Sequence, residues 1–214
     1  MKIAIFGANG TIGQRILNEA LNRGHQVTAI VRNPTSFNSS GKNLSVIQGD
    51  VLDPASVAKT VAGHDVVIGS VGPNSPDGNT EIVVDAARSL LNGVSKSGIK
   101  RLVFVGGAGS LEVAPGLQLV DSPNFPAAFK KIALAHRDAL DVFRTTDKGI
   151  NWLNISPAAL IAPGERTGKF RIGKDNLIVD EKGESRISAE DYAVALIDEV
   201  ENSHYKRERI TVAY

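Results

Sequence analysis

The opening run "KIAIFGANGTIG", residues 2–13, constrains the fold more than any other stretch of the chain. A strand-length apolar run ends at Gly7, and Gly10 and Gly13 follow at three-residue spacing as a helical pattern begins. Glycine suits such a turn for three reasons: the chain reverses sharply, the backbone must come close to a pyrophosphate, and the helix packs tightly on the strand. The helix N-terminus then offers free N–H groups and a positive dipole end to an anion. Gly7, Gly10 and Gly13, with Asn9, Thr11 and Ile12 between them, are therefore the expected dinucleotide loop. A P-loop is excluded because no Gly-Lys-Ser/Thr follows. Glycine triplets also occur in turns that bind nothing, so the weight of the motif comes from the βαβ context around it.

That context continues through the chain. "QVTAIV" (26–31), "LSVIQ" (44–48), "DVVIGS" (65–70) and "RLVFVG" (101–106) read as further strands, apolar on both faces as in a buried parallel sheet. Residues 11–23, 54–62 and 79–97 have helical spacing; Asp53-Pro54 supplies an N-cap and an N1 proline, and Gly24, Gly63 and Gly98 supply stops. A helix over about 125–146 leads to a sixth strand, 150–156. "GKFRIG" and "NLIVDEKG" are expected to pair as two small strands, followed by a capped amphipathic helix at 188–202 and a last strand at 208–214. With 42% hydrophobic residues in 214, one core is affordable without a second domain. The expected architecture is a single α/β domain over 1–214: a Rossmann-like doubly wound parallel sheet flanked by helices, with a small C-terminal extension on the substrate side.

Charge narrows the partners. Lysine plus arginine (24) nearly equals aspartate plus glutamate (23), with no like-charge run, so neither nucleic acid nor an anionic membrane is an expected partner. A small-molecule acceptor is, and the sequence is silent on oligomeric state. No stretch reaches the roughly 18 apolar residues of a spanning helix, and glycine interrupts the first apolar run too early for a secretory segment. The absence of cysteine fits a reducing compartment, so the expectation is a soluble, cytoplasmic protein. The four histidines are scattered without ligand spacing, so no metal is expected, and no G-x-S-x-G elbow marks a hydrolase.

In an open α/β sheet, ligands bind beyond the carboxyl ends of the strands. At the end of the second strand, where an acid would hold the ribose of NAD, stands Arg32, which can pair with a 2′-phosphate; NADP(H) is therefore preferred over NAD(H). Asp50 and Val51 in "GDVLD" fall beside the adenine, whereas Asp53 is more simply a helix cap. Three segments should converge on the nicotinamide: "GSVGP" with Ser70, Val71 and Gly72, "GGAGS" with Gly107, Ala108 and Ser110, and "SPAA" with Pro157 and Ala158. The basic segment with Arg166, Lys169, Arg171 and Lys174 is read equally as a flavin-phosphate contact or a solvated hairpin.

"IFGANGTIG", "VRNP", "GDVLD", "VGGAGSLEV", "SPAALIAPGERTGKFRIG" and "SRISAEDYAVALIDEVE" together resemble the atypical short-chain dehydrogenase/reductases, in the NAD(P)H-binding group of NADH-flavin-reductase-like proteins related to biliverdin reductase B. The resemblance covers essentially the whole chain and places Ser110 at the serine of the active-site loop, the one candidate catalytic residue. The chain departs from ordinary short-chain reductases in one respect. "PNFPAAFKKIALAH" (123–136) lies where they carry Tyr-x-x-x-Lys but has no tyrosine; Tyr192 and Tyr205 are followed at that spacing by Leu196 and Arg209, and Tyr214 ends the sequence. Lys130 and Lys131 are read as a solvated helix face before they are read as remnants of the lysine. Reducing a simple carbonyl makes a basic alkoxide and calls for a proton donor worth roughly 10²–10⁴ in rate. A flavin (FMN, FAD or riboflavin) spreads the incoming charge over its ring, so positioning alone can suffice. The resemblance thus implies an NADPH-dependent reductase of a flavin or similar conjugated acceptor. The alternative is a non-catalytic NADP(H)-binding redox sensor of the NmrA-like kind, and sugar-nucleotide epimerisation, which needs the tyrosine, is a third.

Overall fold

The computed structural model describes residues 1–73 and 78–214. Its elements run β1 (Lys2–Phe6), α1 (Thr11–Asn22), β2 (Gln26–Val31), β3 (Leu44–Gln48), α2 (Pro54–Val61), β4 (Val66–Gly69), α3 (Ile82–Ser97), β5 (Arg101–Val105), β6 (Glu112–Ala114), β7 (Leu117–Gln118), α4 (Ala127–Arg144), β8 (Asn151–Ser156), β9 (Leu160–Ala162), β10 (Arg171–Gly173), β11 (Arg186–Ser188), α5 (Ala189–Asn202) and β12 (Glu208–Ala213). The main sheet has the order β10-β12-β8-β5-β4-β1-β2-β3. Its neighbours are parallel except at the β10–β12 edge. This is the Rossmann-like doubly wound order, with its switch point between β1 and β4.

Strand periodicity builds two cores. Ile3 and Ile5 of β1 point into a layer with Ile16 and Leu17 of α1 and Leu196 and Ile197 of α5. Ala4 and Phe6 point the other way, into a layer with Val57 of α2, Leu90 of α3 and Phe143 of α4. Both faces are therefore covered, which is why these strands read as continuous apolar runs rather than alternating ones.

The stops and caps behave as their chemistry dictates. Gly24, Gly63 and Gly98 all take left-handed φ, +81°, +79° and +81°, and Asp53 caps α2 by accepting from Ala55 N at 2.9 Å. Ser188 caps α5 by accepting from Asp191 N at 2.9 Å. The third helix starts three residues later than its apolar pattern, because Asn79 Oδ1 accepts from Glu81 N and holds a turn ahead of Ile82.

The expected "GKFRIG"–"NLIVDEKG" strand pair is not formed. Arg171–Gly173 instead joins the main sheet antiparallel to β12. Much of "NLIVDEKG" folds toward a turn in which Asp180 Oδ1 accepts from Lys182 N and Glu184 N at 2.9 Å each. The free edge of β12 and the Asx turn outcompete the local hairpin. Residues 160–162 and 186–188, which carried no strand signal, pair as parallel β9 and β11.

Candidate dinucleotide site

The turn from β1 into α1 shows which glycines the fold itself requires. Gly7 has φ +79°, and a Cβ there would lie 2.0 Å from Ser70 O; a Cβ on Gly13 would lie 2.0 Å from Gly7 O. Those two positions are fixed by strand–strand and strand–helix approach. Gly10 differs: its φ is −75° and a Cβ would meet only Gly7 O, at 3.4 Å. Among the described residues nothing fills the space a Gly10 side chain would take, which is the space a pyrophosphate needs. Gly10 is also the N-cap of α1 and has no side chain to satisfy the first N–H groups, and no acidic residue occupies the first turn. The donors and the dipole end are left to an anion. Asn9, Gly10 and Thr11 are exposed there, Ile12 half-buried, and Gly13 buried.

The same turn carries the post-β4 segment. Ser70 N donates to Phe6 O at 3.0 Å, so Ser70 and Val71 lie against Gly7, and Gly72 is exposed beyond them with open space at its Cα. On the adenine side, Arg32 is exposed at the end of β2, and its carbonyl accepts from Gln48 Nε2 at 3.2 Å. Its guanidinium makes no ion pair among the described residues. Asp50 Oδ1 accepts from Leu52 N at 2.9 Å and thereby shapes its own turn. Val51 packs its side chain onto the core and presents mainly backbone to a ligand.

At the other end of the cleft, Gly106 N donates to Ile155 O at 2.8 Å and stitches the post-β5 loop to β8. Gly107 and Ala108 are half-buried, and Pro157 and Ala158 are buried just past β8. A Cβ on Gly107 would strike the His136 ring carbon Cγ at 2.9 Å, so α4 lies directly on this loop. Burial pushes the His136 pKa down to about 4, leaving a neutral imidazole at pH 7. Its Nδ1 is sequestered without a hydrogen-bond partner. Ser110 is 4% exposed, and its Oγ accepts from Arg209 Nη1 at 3.3 Å. The structure thus places this hydroxyl in the floor of the loop rather than on its rim.

Two of the three tyrosines have their hydroxyls committed elsewhere. Tyr192 is fully buried, donates to Ile155 O at 2.6 Å, and has its phenol pKa pushed far up by desolvation. Tyr214 donates to Asp191 Oδ2 at 2.8 Å. Arg166 is not free for a flavin phosphate: its guanidinium grips Glu19 of α1 with two bonds of 2.8 Å. Arg171 is likewise engaged by the carbonyls of Val179 and Tyr214. Lys174 pairs with Glu208. Two of the segment's four cations, Arg166 and Lys174, are thus paired with carboxylates. No three histidine, aspartate or glutamate side chains among the described residues come together as a metal site. No described helix is long and apolar enough to cross a membrane.

A model of the NAD(P)H-binding family matches residues 7–203. The chain belongs to that family. It is similar over its whole length to three crystal structures. One is from Burkholderia pseudomallei (53% identity, TM-score 0.91, 100% of both chains). Another is from Bacteroides thetaiotaomicron (41%, 0.91, 100% of this chain and 96% of that one). The third is from Streptococcus pneumoniae TIGR4 (35%, 0.88, 100% and 99%). They are described respectively as an exported protein, an epimerase and an NADH-flavin reductase, each with the word "putative". For this NAD(P)H-binding protein, the three descriptions differ, and the chemistry has to be argued from the site.

Sequence reasoning missed a buried polar layer under the post-β5 loop. Arg209 pairs in register with Asn154, and Thr211 with Ser156, on β12 and β8. All four are buried, and both Asn154 amide atoms and Thr211 Oγ1 lack partners. Each such atom costs about 1–3 kcal/mol. A signal was present: Asn154 and Ser156, and Arg209 and Thr211, recur at alternate positions in "NWLNIS" and "ERITVAY", with apolar residues between them.

Proposed function

We propose that the protein is an NADPH-dependent reductase that passes hydride to a flavin or a similar conjugated acceptor. When bound, NADPH supplies the hydride from its nicotinamide; the chain supplies position. The observation that carries the reading is that, among the described residues, none at the post-β5 loop is placed as a proton-donating acid. Around it stand a neutral His136, a buried Ser110 and glycine backbone, while the nearest buried phenol, Tyr192, donates into β8. A site built this way serves an acceptor that delocalises its new charge and takes its proton from water. Gly10 leaves room for the pyrophosphate, and exposed Arg32 favours NADP(H) through its 2′-phosphate. A small-molecule acceptor is the only partner this reading needs, and the cytoplasm is the compartment it proposes.

Ser110 is 4% exposed, and that burial is the observation that favours a second reading, a dinucleotide-binding sensor without chemistry. One experiment separates the two: NADPH oxidation by the pure protein with FMN, FAD, riboflavin and quinones offered in turn. Turnover with a flavin supports the reductase. Tight NADPH binding with no turnover on any of them replaces it with the sensor.

A further inference from the structure

The buried layer beneath the post-β5 loop is organised by one guanidinium. Arg209 lies on β12 with its side chain 2% exposed. Its Nε and Nη2 donate to Asp175 Oδ1, which is itself 55% exposed and also accepts from Arg144 Nη2 at 3.2 Å. That is the solvent side of the group. On the inner side, Nη1 donates to Ser110 Oγ at 3.3 Å and to Ser156 Oγ at 3.5 Å, and Nη2 donates to Ser110 O at 3.5 Å. The contacts are at the long end of hydrogen-bond reach, but they converge on the ends of two different segments, the 106–110 loop and the end of β8.

The direction of these bonds matters. A guanidinium can only donate, so both serine oxygens must accept, and their own protons must point elsewhere. Among the described residues neither hydroxyl has an acceptor for that proton. A charged donor on the oxygen also polarises the hydroxyl and makes its proton the better donor. The Asp175 pair offsets only part of the cost of this depth: desolvation lowers the Arg209 pKa, and the polar atoms beside it on Asn154 and Thr211 have no partner among the described residues. Costs of this kind concentrate at working sites.

We propose that Arg209 is a positioning residue of the hydride-transfer site, anchored on the fully buried Ser156 and fixing the Ser110 hydroxyl with its proton turned toward the acceptor. The inference rests on the reductase reading above. It assigns the fixed positive end of the site to β12, at the far side of the sheet from the dinucleotide turn, and gives Ser110 a role as a hydrogen-bond donor without making it an acid.

The test uses the full chain with Ser110→Ala and Arg209→Met, singly and together. Three quantities are measured: affinity for reduced FMN in the presence of NADP⁺ without oxygen, kcat and KM for FMN, and NADPH affinity by fluorescence titration. Each single variant should weaken reduced-FMN binding and lower kcat by roughly three- to ten-fold, with NADPH affinity held to about two-fold. The double variant should be no worse than the worse single one, because both remove the same donor. Multiplied losses in the double variant, or an NADPH affinity that falls as far as kcat, would mark Arg209 as merely structural and overturn the proposal. If Arg209→Met does not fold, Arg209→Lys keeps the charge without the fork; it should show the same loss, and full activity with lysine overturns the proposal equally. Wild-type protein that reduces no flavin sinks the reductase reading, and the Arg209 role with it, before any variant is made.

Discussion

Replacing Gly10 by valine should leave the fold standing and remove the dinucleotide. The backbone at Gly10 is extended, φ −75° and ψ 165°, which valine adopts freely, and the nearest atom to its Cβ is Gly7 O at 3.4 Å. The folding cost is then that of a poor N-cap, about 0.5–1 kcal/mol, or roughly 1–4 °C in Tm for a chain of this size. Binding is different, since two methyl groups would stand where the pyrophosphate meets the α1 N–H groups. A loss of at least about 100-fold, near 2.7 kcal/mol, is expected for NADPH and NADH alike. Gly13→Ala provides the opposite control: its Cβ would sit 2.0 Å from Gly7 O, so α1 must move, and about 1–3 kcal/mol of stability should go with it. Calorimetric titration and thermal melts on the same preparations separate the two effects. A folded Gly10→Val protein that still binds NADPH would refute the placement of the pyrophosphate at this turn.

Arg32→Ala should weaken NADPH roughly ten-fold or more, the worth of one charge-assisted contact, and leave NADH much less affected; equal losses in a fluorescence titration would show that Arg32 does not read the 2′-phosphate. Ser110→Ala should slow flavin reduction by roughly ten-fold at most, whereas a loss of 10²–10⁴ in kcat would make Ser110 a proton donor after all. His136 makes acid destabilising: its folded pKa of about 4 lies below the ordinary 6.5, so the unfolded chain takes the proton first. Its contribution is intact above about pH 6.5 and is lost as pH falls toward 4, by up to about 1.4 kcal/mol per pH unit. His136→Leu should flatten the pH dependence of Tm across that window, and an unchanged slope would mean that other groups carry it.

Much of the fold was legible because its signals are local. Phe6 to Gly13 dictates a strand, a tight turn and a helix whatever else the chain does, and Asp53 and Gly98 mark helix ends through their own backbone chemistry. The C-terminal quarter was harder to read, since the choice between a hairpin at 168–183 and an edge strand on β12 depends on a neighbour that arrives thirty-odd residues later. The site divides the same way. Gly7, Gly13 and Ser70 meet as the motif requires, and Arg32 stands at the end of β2. Arg209 could not be read off, because an arginine in a strand has meaning only once β8 and the 106–110 loop are placed against it.

The missing tyrosine narrows the chemistry more than the differing descriptions of similar proteins do. Epimerisation and carbonyl reduction both need a group at the post-β5 loop that gives or takes a proton near neutral pH. Desolvation holds Tyr192 far above that range, and it holds His136 about two to three units below it. Arg209 remains a fixed charge throughout, too basic to trade a proton. A site whose buried tyrosine and histidine are both pushed out of range can still favour a product that carries negative charge, because a guanidinium and the Ser110 hydroxyl it orients stabilise charge without transferring anything. That is the demand a flavin makes, and it is why the lack of a tyrosine on α4 and the presence of a buried arginine on β12 belong to one argument.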